Sequence, residues 1–257
     1  MRLAVLSDIH GNAIALEAAL ADLEGLGGFD LLWCLGDLAA FGARPAECVA
    51  RVRGLIEAHG KEKVRVIGGN TDRYLVTGER MPTTPAKDEA GFSRRASIFA
   101  ERDAVLNWNL SQLSWADYEF LKNILGHELW HEVTGYGTII GVHAVPGADE
   151  PNSLRPDSPD EEALDALLDR EGRLALAGHT HLCMDRQVGG WRVVNPGSVG
   201  LSFSNPGKAE WALLTFADGA VQVDLRAVPY DVDAAIADAA AAGYPDVAGI
   251  AKRLKRA

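Results

Sequence analysis

Sulfur is scarce in this chain. Its cysteines, Cys34, Cys48 and Cys183, are odd in number and widely spaced, so they supply neither a disulfide framework nor a C-x-x-C centre for zinc or redox work. A reducing cytoplasm is the expected setting. Long apolar runs are also missing. No stretch approaches the ~20 residues that cross a bilayer, and the opening Met1-Arg2-Leu3-Ala4-Val5-Leu6 meets Asp8 too soon for a secretory leader. Basic charge is outnumbered: 25 Lys and Arg stand against 36 Asp and Glu, and the net charge of -11 repels polyanions. Neither broad nucleic-acid binding nor a membrane partner is expected, while a small phosphate ester drawn to bound cations is compatible. Apart from the alanine run 239–242, there is no repeat of fixed period and no low-complexity tract.

With 257 residues and 47% hydrophobic side chains, the chain can build one large α/β domain spanning 1–257 around a substantial core. Leu3 to Leu6 reads as a strand ended by Ser7-Asp8, and a helix follows with Leu16, Leu20 and Leu23 on one face and Gly27-Gly28 as the stop. The unit repeats with a strand over 31–35, a helix opened by Pro45 along Val49, Val52 and Ile56, and a strand over 64–67. Alternating strands and helices imply a parallel sheet covered on both faces, with ligand sites beyond the carboxyl ends of its strands. From about 74 to 125 the strand signal lapses, and helices over 94–107 and 114–123 suggest a helical cap excursion. A hairpin is expected over 128–142, and Ser158-Pro159-Asp160-Glu161 reads as a serine-capped helix start. Strands over 174–177, 191–194, 211–216 and 221–228 follow, the last two joined by Asp218-Gly219, and helices over 231–242 and about 247–256 end the chain.

Five polar clusters each close an apolar run: Asp8-Ile9-His10, Gly36-Asp37, Gly69-Asn70-Thr71-Asp72, His143 and Gly178-His179-Thr180-His181. Singly, most of these are ordinary turns or a hydrogen-bonded core histidine. Together they offer seven oxygen and imidazole donors (Asp8, His10, Asp37, Asn70, His143, His179 and His181), enough for two borderline divalent ions sharing one carboxylate. In an extended chain Asp8 and His10 project to the same side, as do His179 and His181. If the second loop curls, its two histidines divide between neighbouring ions. Asp37, with two oxygens, is the natural bridge. Two ions about 3.5 to 4 Å apart can hold a shared hydroxide and clamp a phosphoryl group for in-line attack. Manganese, iron, zinc and nickel all suit such donors, manganese being the first choice.

This ordered set resembles the calcineurin-like metallophosphoesterase family, with the pattern D-x-H, G-D, G-N-x-D/E, H and G-H-x-H, and most of all its small bacterial phosphodiesterases, for which Asn195-Pro196-Gly197-Ser198-Val199-Gly200 is also typical. The resemblance runs from about Leu3 to Phe216. It implies two packed mixed β-sheets flanked by helices, a four-layer α-β-β-α sandwich. It further implies that Asp8, His10, Asp37 and His181 hold one metal, and Asp37, Asn70, His143 and His179 the other. Members that cleave phosphomonoesters carry histidine after the asparagine; Thr71 stands there, and a hydroxyl is no general acid near neutrality. Phosphodiesters, or substrates with good leaving groups, are therefore expected, with Asp37, Asn70, Thr71 and Asp72 as the catalytic set and Asp72 orienting Thr71 or a water.

Two other functions fit parts of the sequence. One is a non-catalytic protein-binding scaffold of the same fold. The other is a zinc protease through His127-Glu128-Leu129-Trp130-His131, which matches H-E-x-x-H but works only on a helix, whereas the β-branched residues and glycines around it favour a hairpin. Arg44 and Arg73 could reach a phosphate, Ser204 to Lys208 reads as a surface turn, and Trp108 and Trp115 could line the cleft. Lys252, Arg253, Lys255 and Arg256 suggest an anion site only weakly, since basic residues suit a helix C-terminus.

Overall fold

The computed structural model describes residues 1–81 and 83–255. Its strands are β1 (Arg2–Leu6), β2 (Leu31–Cys34), β3 (Val64–Val66), β4 (Leu129–Val133), β5 (Gly137–Val142), β6 (Leu174–Ala177), β7 (Met184–Val188), β8 (Trp191–Asn195), β9 (Lys208–Ala217) and β10 (Ala220–Pro229). Its helices are α1 (Ala13–Gly25), α2 (Pro45–His59), α3 (Asn70–Thr77), α4 (Glu89–Gln112), α5 (Trp115–Ile124), α6 (Asp160–Leu167), α7 (Val232–Ala241) and α8 (Val247–Leu254).

Two five-stranded sheets result, ordered β10-β9-β1-β2-β3 and β4-β5-β6-β8-β7. Both are mixed. β1, β2 and β3 run parallel while β9 pairs antiparallel with β1; β5, β6 and β8 run parallel between antiparallel β4 and β7.

Side chains alternating along each strand set the layers. Leu3 and Val5 of β1, Leu174 and Leu176 of β6, and Ala212 and Leu214 of β9 enter one apolar cluster with Trp33 and Ile139 between the sheets. The intervening Ala4 and Leu6 face a second cluster with Leu16, Leu20 and Leu23 of α1 and Val49 and Val52 of α2. Ala175 and Ala177 face a third with Ala163 and Leu167 of α6. The order is helices, sheet, sheet, helix, the sandwich that the resemblance implies. The carboxyl ends of β1, β2, β3, β5 and β6 open toward one edge of it.

Several local expectations shift for identifiable reasons. α3 begins at Asn70 itself, with Gly69 as its cap, so the cluster after β3 is a helix N-terminus rather than a loop. α4 is longer than expected. It and α5 send Leu106, Leu121 and Ile124 into the cluster under the first sheet. At α6 the serine cap fails: Pro159 takes the cap position, and the Ser158 hydroxyl donates to the Asn152 carbonyl instead. β7 had no sequence signal, because its Asp185, Arg186 and Gln187 are polar residues on an edge strand. At Asp218 and Gly219 the backbone turns left-handed (φ 52° and 73°), as a two-residue hairpin turn requires. Among the described residues no helix is long and apolar enough to cross a membrane. Arg256, the last of the basic residues at the C-terminus, lies outside the described residues; Arg253 and Lys255 pair with Asp246 and Asp233.

Candidate metal centre

The donors reach one pocket through strained loops rather than through strand alternation. β1 ends at Leu6, and Asp8 and His10 both adopt left-handed backbone (φ 56° and 48°), as do Asp37, His179 and His181 (φ 55°, 65° and 56°). Left-handed backbone is disfavoured for residues with a Cβ, and it persists where surrounding structure over-determines it. The expectation that Asp8 and His10 share a side through period two is therefore corrected: curled loops aim them.

The bracing is explicit. Asp8 N–H donates to the Gly36 carbonyl, and His10 N–H to the Asp37 carbonyl, which zips the first two loops together. The Asn195-Pro196-Gly197-Ser198 turn clamps them from behind. Ser198 Oγ donates to the Asp8 carbonyl (2.7 Å) and accepts from Leu201 N–H (2.8 Å), and Asn195 Nδ2 donates to the Gly178 carbonyl (2.7 Å). Gly200 packs so tightly that a Cβ there would lie 1.8 Å from the Ile9 carbonyl oxygen.

All seven predicted donors converge. His10 Nε2 lies 2.9 Å from His181 Nε2 and 3.8 Å from Asp8 Oδ1, which is 3.2 Å from His181 Nε2. Asp37 Oδ2 is 3.7 Å from His10 Nε2 and 3.6 Å from His143 Nε2, between the two halves of the cluster. Asn70 Oδ1 lies 3.0 Å from His143 Nε2 and 3.1 Å from His179 Nδ1. His179 and His181 thus fall on opposite halves, the outcome expected of a curled loop. One ligand atom from each of Asp8, His10 and His181 lies within 4.8 Å of the others, and so do those of Asp8, Asp37 and His143. Asp8 therefore borders both halves, alongside Asp37.

Outer contacts fix the rings. His143 Nδ1–H donates to the Leu35 carbonyl (2.7 Å), His181 Nδ1–H to the Leu201 carbonyl (2.7 Å), and His179 Nε2–H to the Glu150 carbonyl (2.8 Å). In the neutral tautomer each ring then turns a lone pair inward. With the rings neutral, the lone pairs of three imidazoles and an amide oxygen face the carboxylates. Among the described residues, Asp8 Oδ1 is buried without a hydrogen-bond partner. Divalent cations satisfy such a set, so the residues present fit metal ions.

The electrostatics agree. Burial and neighbouring His181 push His10 down to about 3, and burial and His143 push His179 down to about 4, so both rings stay neutral. Burial also works against the charged forms of His143 and His181, but Asp37 and Asp8 respectively outweigh it and raise both. Burial raises Asp37, while Asp8 is held low by His181, His143 and His10 despite its own burial.

Thr71 and Asp72 take different places from those expected. Asp72 accepts from the backbone N–H groups of Leu38 (3.0 Å), Ala39 (3.2 Å) and Gly69 (3.1 Å), clamping the Asp37 loop to the start of α3. Burial and the nearby Asp37 raise its pKa to about 7. The Thr71 amide donates to Asp37 Oδ1 (2.9 Å), while its hydroxyl faces the Ala39 carbonyl at 3.4 Å. Asp72 therefore orients backbone, with no hydrogen bond to the Thr71 side chain among the described residues. Arg44 is held bidentately by Asp238, and Arg73 by Asp149 together with Glu79. Trp108 packs edge-on against Tyr244, and Trp115 is exposed and stacked on Tyr118. His131 lies in β4 opposite Ile139, so the H-E-x-x-H run lacks the helix a zinc protease needs.

A profile of the calcineurin-like phosphoesterase superfamily domain matches residues 1–219. The chain belongs to that family. It is 28% identical over 244 residues to an uncharacterized protein of Methanocaldococcus jannaschii, covering 90% of this chain and 88% of that one. Among solved structures, a hypothetical protein of Pyrococcus horikoshii matches with a TM-score of 0.80 at 23% identity, covering 100% of this chain and 99% of that one. A metallophosphoesterase of Sphaerobacter thermophilus matches at 0.69 and 23% identity, over 99% and 98%. These two likenesses show the fold. Family membership makes the chain a metal-dependent phosphoesterase in general terms.

Proposed function

We propose that this family member is a dinuclear phosphodiesterase, with Asp8, His10, Asp37 and His181 holding one divalent cation and Asp37, Asn70, His143 and His179 the other. The observation that carries the reading is the inward-facing set of fixed lone pairs around the orphaned Asp8 Oδ1. When bound, the two cations supply an activated water and neutralise phosphoryl oxygens. The chain's own part is positioning: Asp37 Oδ2 stands between the halves, Asn70 adds an oxygen without charge, and the Ser198 and Asp72 clamps keep the loops from relaxing.

Charge favours a diester. A phosphomonoester dianion brings one more negative charge than a diester, and Arg73, which shares a cleft with His143, is already held by carboxylates. The Thr71 hydroxyl, facing the Ala39 carbonyl, offers no acid. Manganese is the first metal to try, and a reducing cytoplasm remains the proposed setting. Hydrolysis of bis-aryl against mono-aryl phosphates with added manganese is the test. Preference for the diester is expected, and preference for the monoester would sink it. Asp37→Ala should abolish turnover; unchanged turnover would favour the scaffold.

A further inference from the structure

His127 and Glu128 open the run that no helix supports, and the fold gives them another place. With Gly126 they form one wall of a cleft of about 360 Å³, which His143, Arg73 and Asp149 also line. His143, a member of the donor cluster, thus shares this cleft with His127. Glu128 is pinned by Arg170 (2.7 and 2.9 Å) and by Gly147 N–H (2.8 Å), which fixes the wall that carries His127. His127 itself is exposed, and its Nε2–H donates to the Asn123 carbonyl at 3.2 Å. Nδ1 is the nitrogen left for the cleft.

An alkoxide leaving phosphorus needs a proton. Thr71 faces the Ala39 carbonyl, and both Asp72 oxygens accept from backbone N–H groups. Four imidazoles belong to the donor cluster; of the other three, His59 packs on Phe29 and His131 lines a different cavity with Met1 and Phe216. His127 remains. The cations around it are taken up by carboxylates, Arg170 by Glu128 and Arg73 by Asp149, Glu79 and Glu150, so the cleft suits an uncharged alcohol better than a phosphorylated one.

We propose that His127 protonates the departing oxygen of a phosphodiester whose uncharged alcohol occupies this cleft, an inference that rests on the phosphodiesterase reading. Water's oxygen forms its bond to phosphorus, and the bond from phosphorus to the alcohol oxygen breaks with both electrons on that oxygen. The imidazolium proton of His127 moves to it, giving the neutral alcohol. The imidazole then takes up a proton from solvent, which has received the one lost by the attacking water.

The test compares full-length His127→Gln with the unaltered protein, both manganese-loaded, on bis(4-nitrophenyl) phosphate and on a dialkyl diester, glycerophosphoglycerol. Nitrophenolate leaves without a proton, whereas glycerol does not. The variant should lose about 10²-fold or more in kcat/KM on the dialkyl diester and only a few fold on the aryl one. Equal losses on both substrates, no loss on either, or an unaltered protein that cleaves only the aryl diester would overturn the assignment. An unaltered, metal-loaded protein that cleaves neither diester would overturn the phosphodiesterase reading and this inference together. Matching melting curves would exclude misfolding, and the exposure of His127 makes them the expected result.

Discussion

Replacing Gly200 with alanine would place a methyl carbon 1.8 Å from the Ile9 carbonyl oxygen and 2.7 Å from its carbon. Real Cβ contacts do not fall below 3.0 Å, so the Asp8-Ile9-His10 loop and the Gly200 turn must separate by at least 1.2 Å, the difference between 3.0 and 1.8. Nothing nearby can yield instead, because the clash is with backbone. The same movement would strain the Gly200 N–H bond to the Asp8 carbonyl. A displacement of about 1 Å at a catalytic constellation costs on the order of 10²-fold in rate. The overpacking itself costs about 1–3 kcal/mol, and each kcal/mol lowers Tm by about 2–4 °C in a chain of this size. The assay is kcat/KM on a bis-aryl phosphate beside a melting curve and metal content. Gly200→Ala with unaltered turnover and full metal content would refute the claim that this turn holds the site in register.

Other consequences follow from the same contacts. Asp72→Ala leaves three buried N–H groups without an acceptor, each worth about 1–3 kcal/mol; urea unfolding should show a loss of several kcal/mol, and a loss below about 1 kcal/mol would contradict the clamp. In the metal-free protein His143 and His181 keep their protons to higher pH than ordinary imidazoles, so cations must displace them. Metal affinity should therefore fall as pH drops through neutrality, with proton release visible by calorimetry in buffers of different ionisation enthalpy. His10 and His179, at about 3 and 4, should add nothing to that release. Substituting His127 and His131 together by alanine should leave metal content unchanged, whereas loss of metal would revive the protease-like site.

The seven donors were legible because strand ends are marked by abrupt polar residues after apolar runs, as at Leu6 to Asp8 and Ala177 to His179. How they are aimed was not. Period-two reasoning needs extended backbone, and Asp8, His10 and Asp37 are left-handed, held there by cross-loop hydrogen bonds that no local pattern reveals. The Leu35, Leu201 and Glu150 contacts that set the histidine tautomers use backbone carbonyls, which carry no residue signature. Asn195 and Ser198 gave a signal as a turn motif, but their clamp on Asp8 and Gly178 appears only in three dimensions. The layers were readable from hydrophobic alternation in β1 and β6. Edge strand β7 was missed because it is exposed and polar.

Anomalous scattering from crystals grown with manganese tests the central claim most directly. Two peaks are expected, one among Asp8, His10 and His181 and one among Asn70, His143 and His179, with Asp37 between them. A single peak, or metal bound away from these residues, would contradict it.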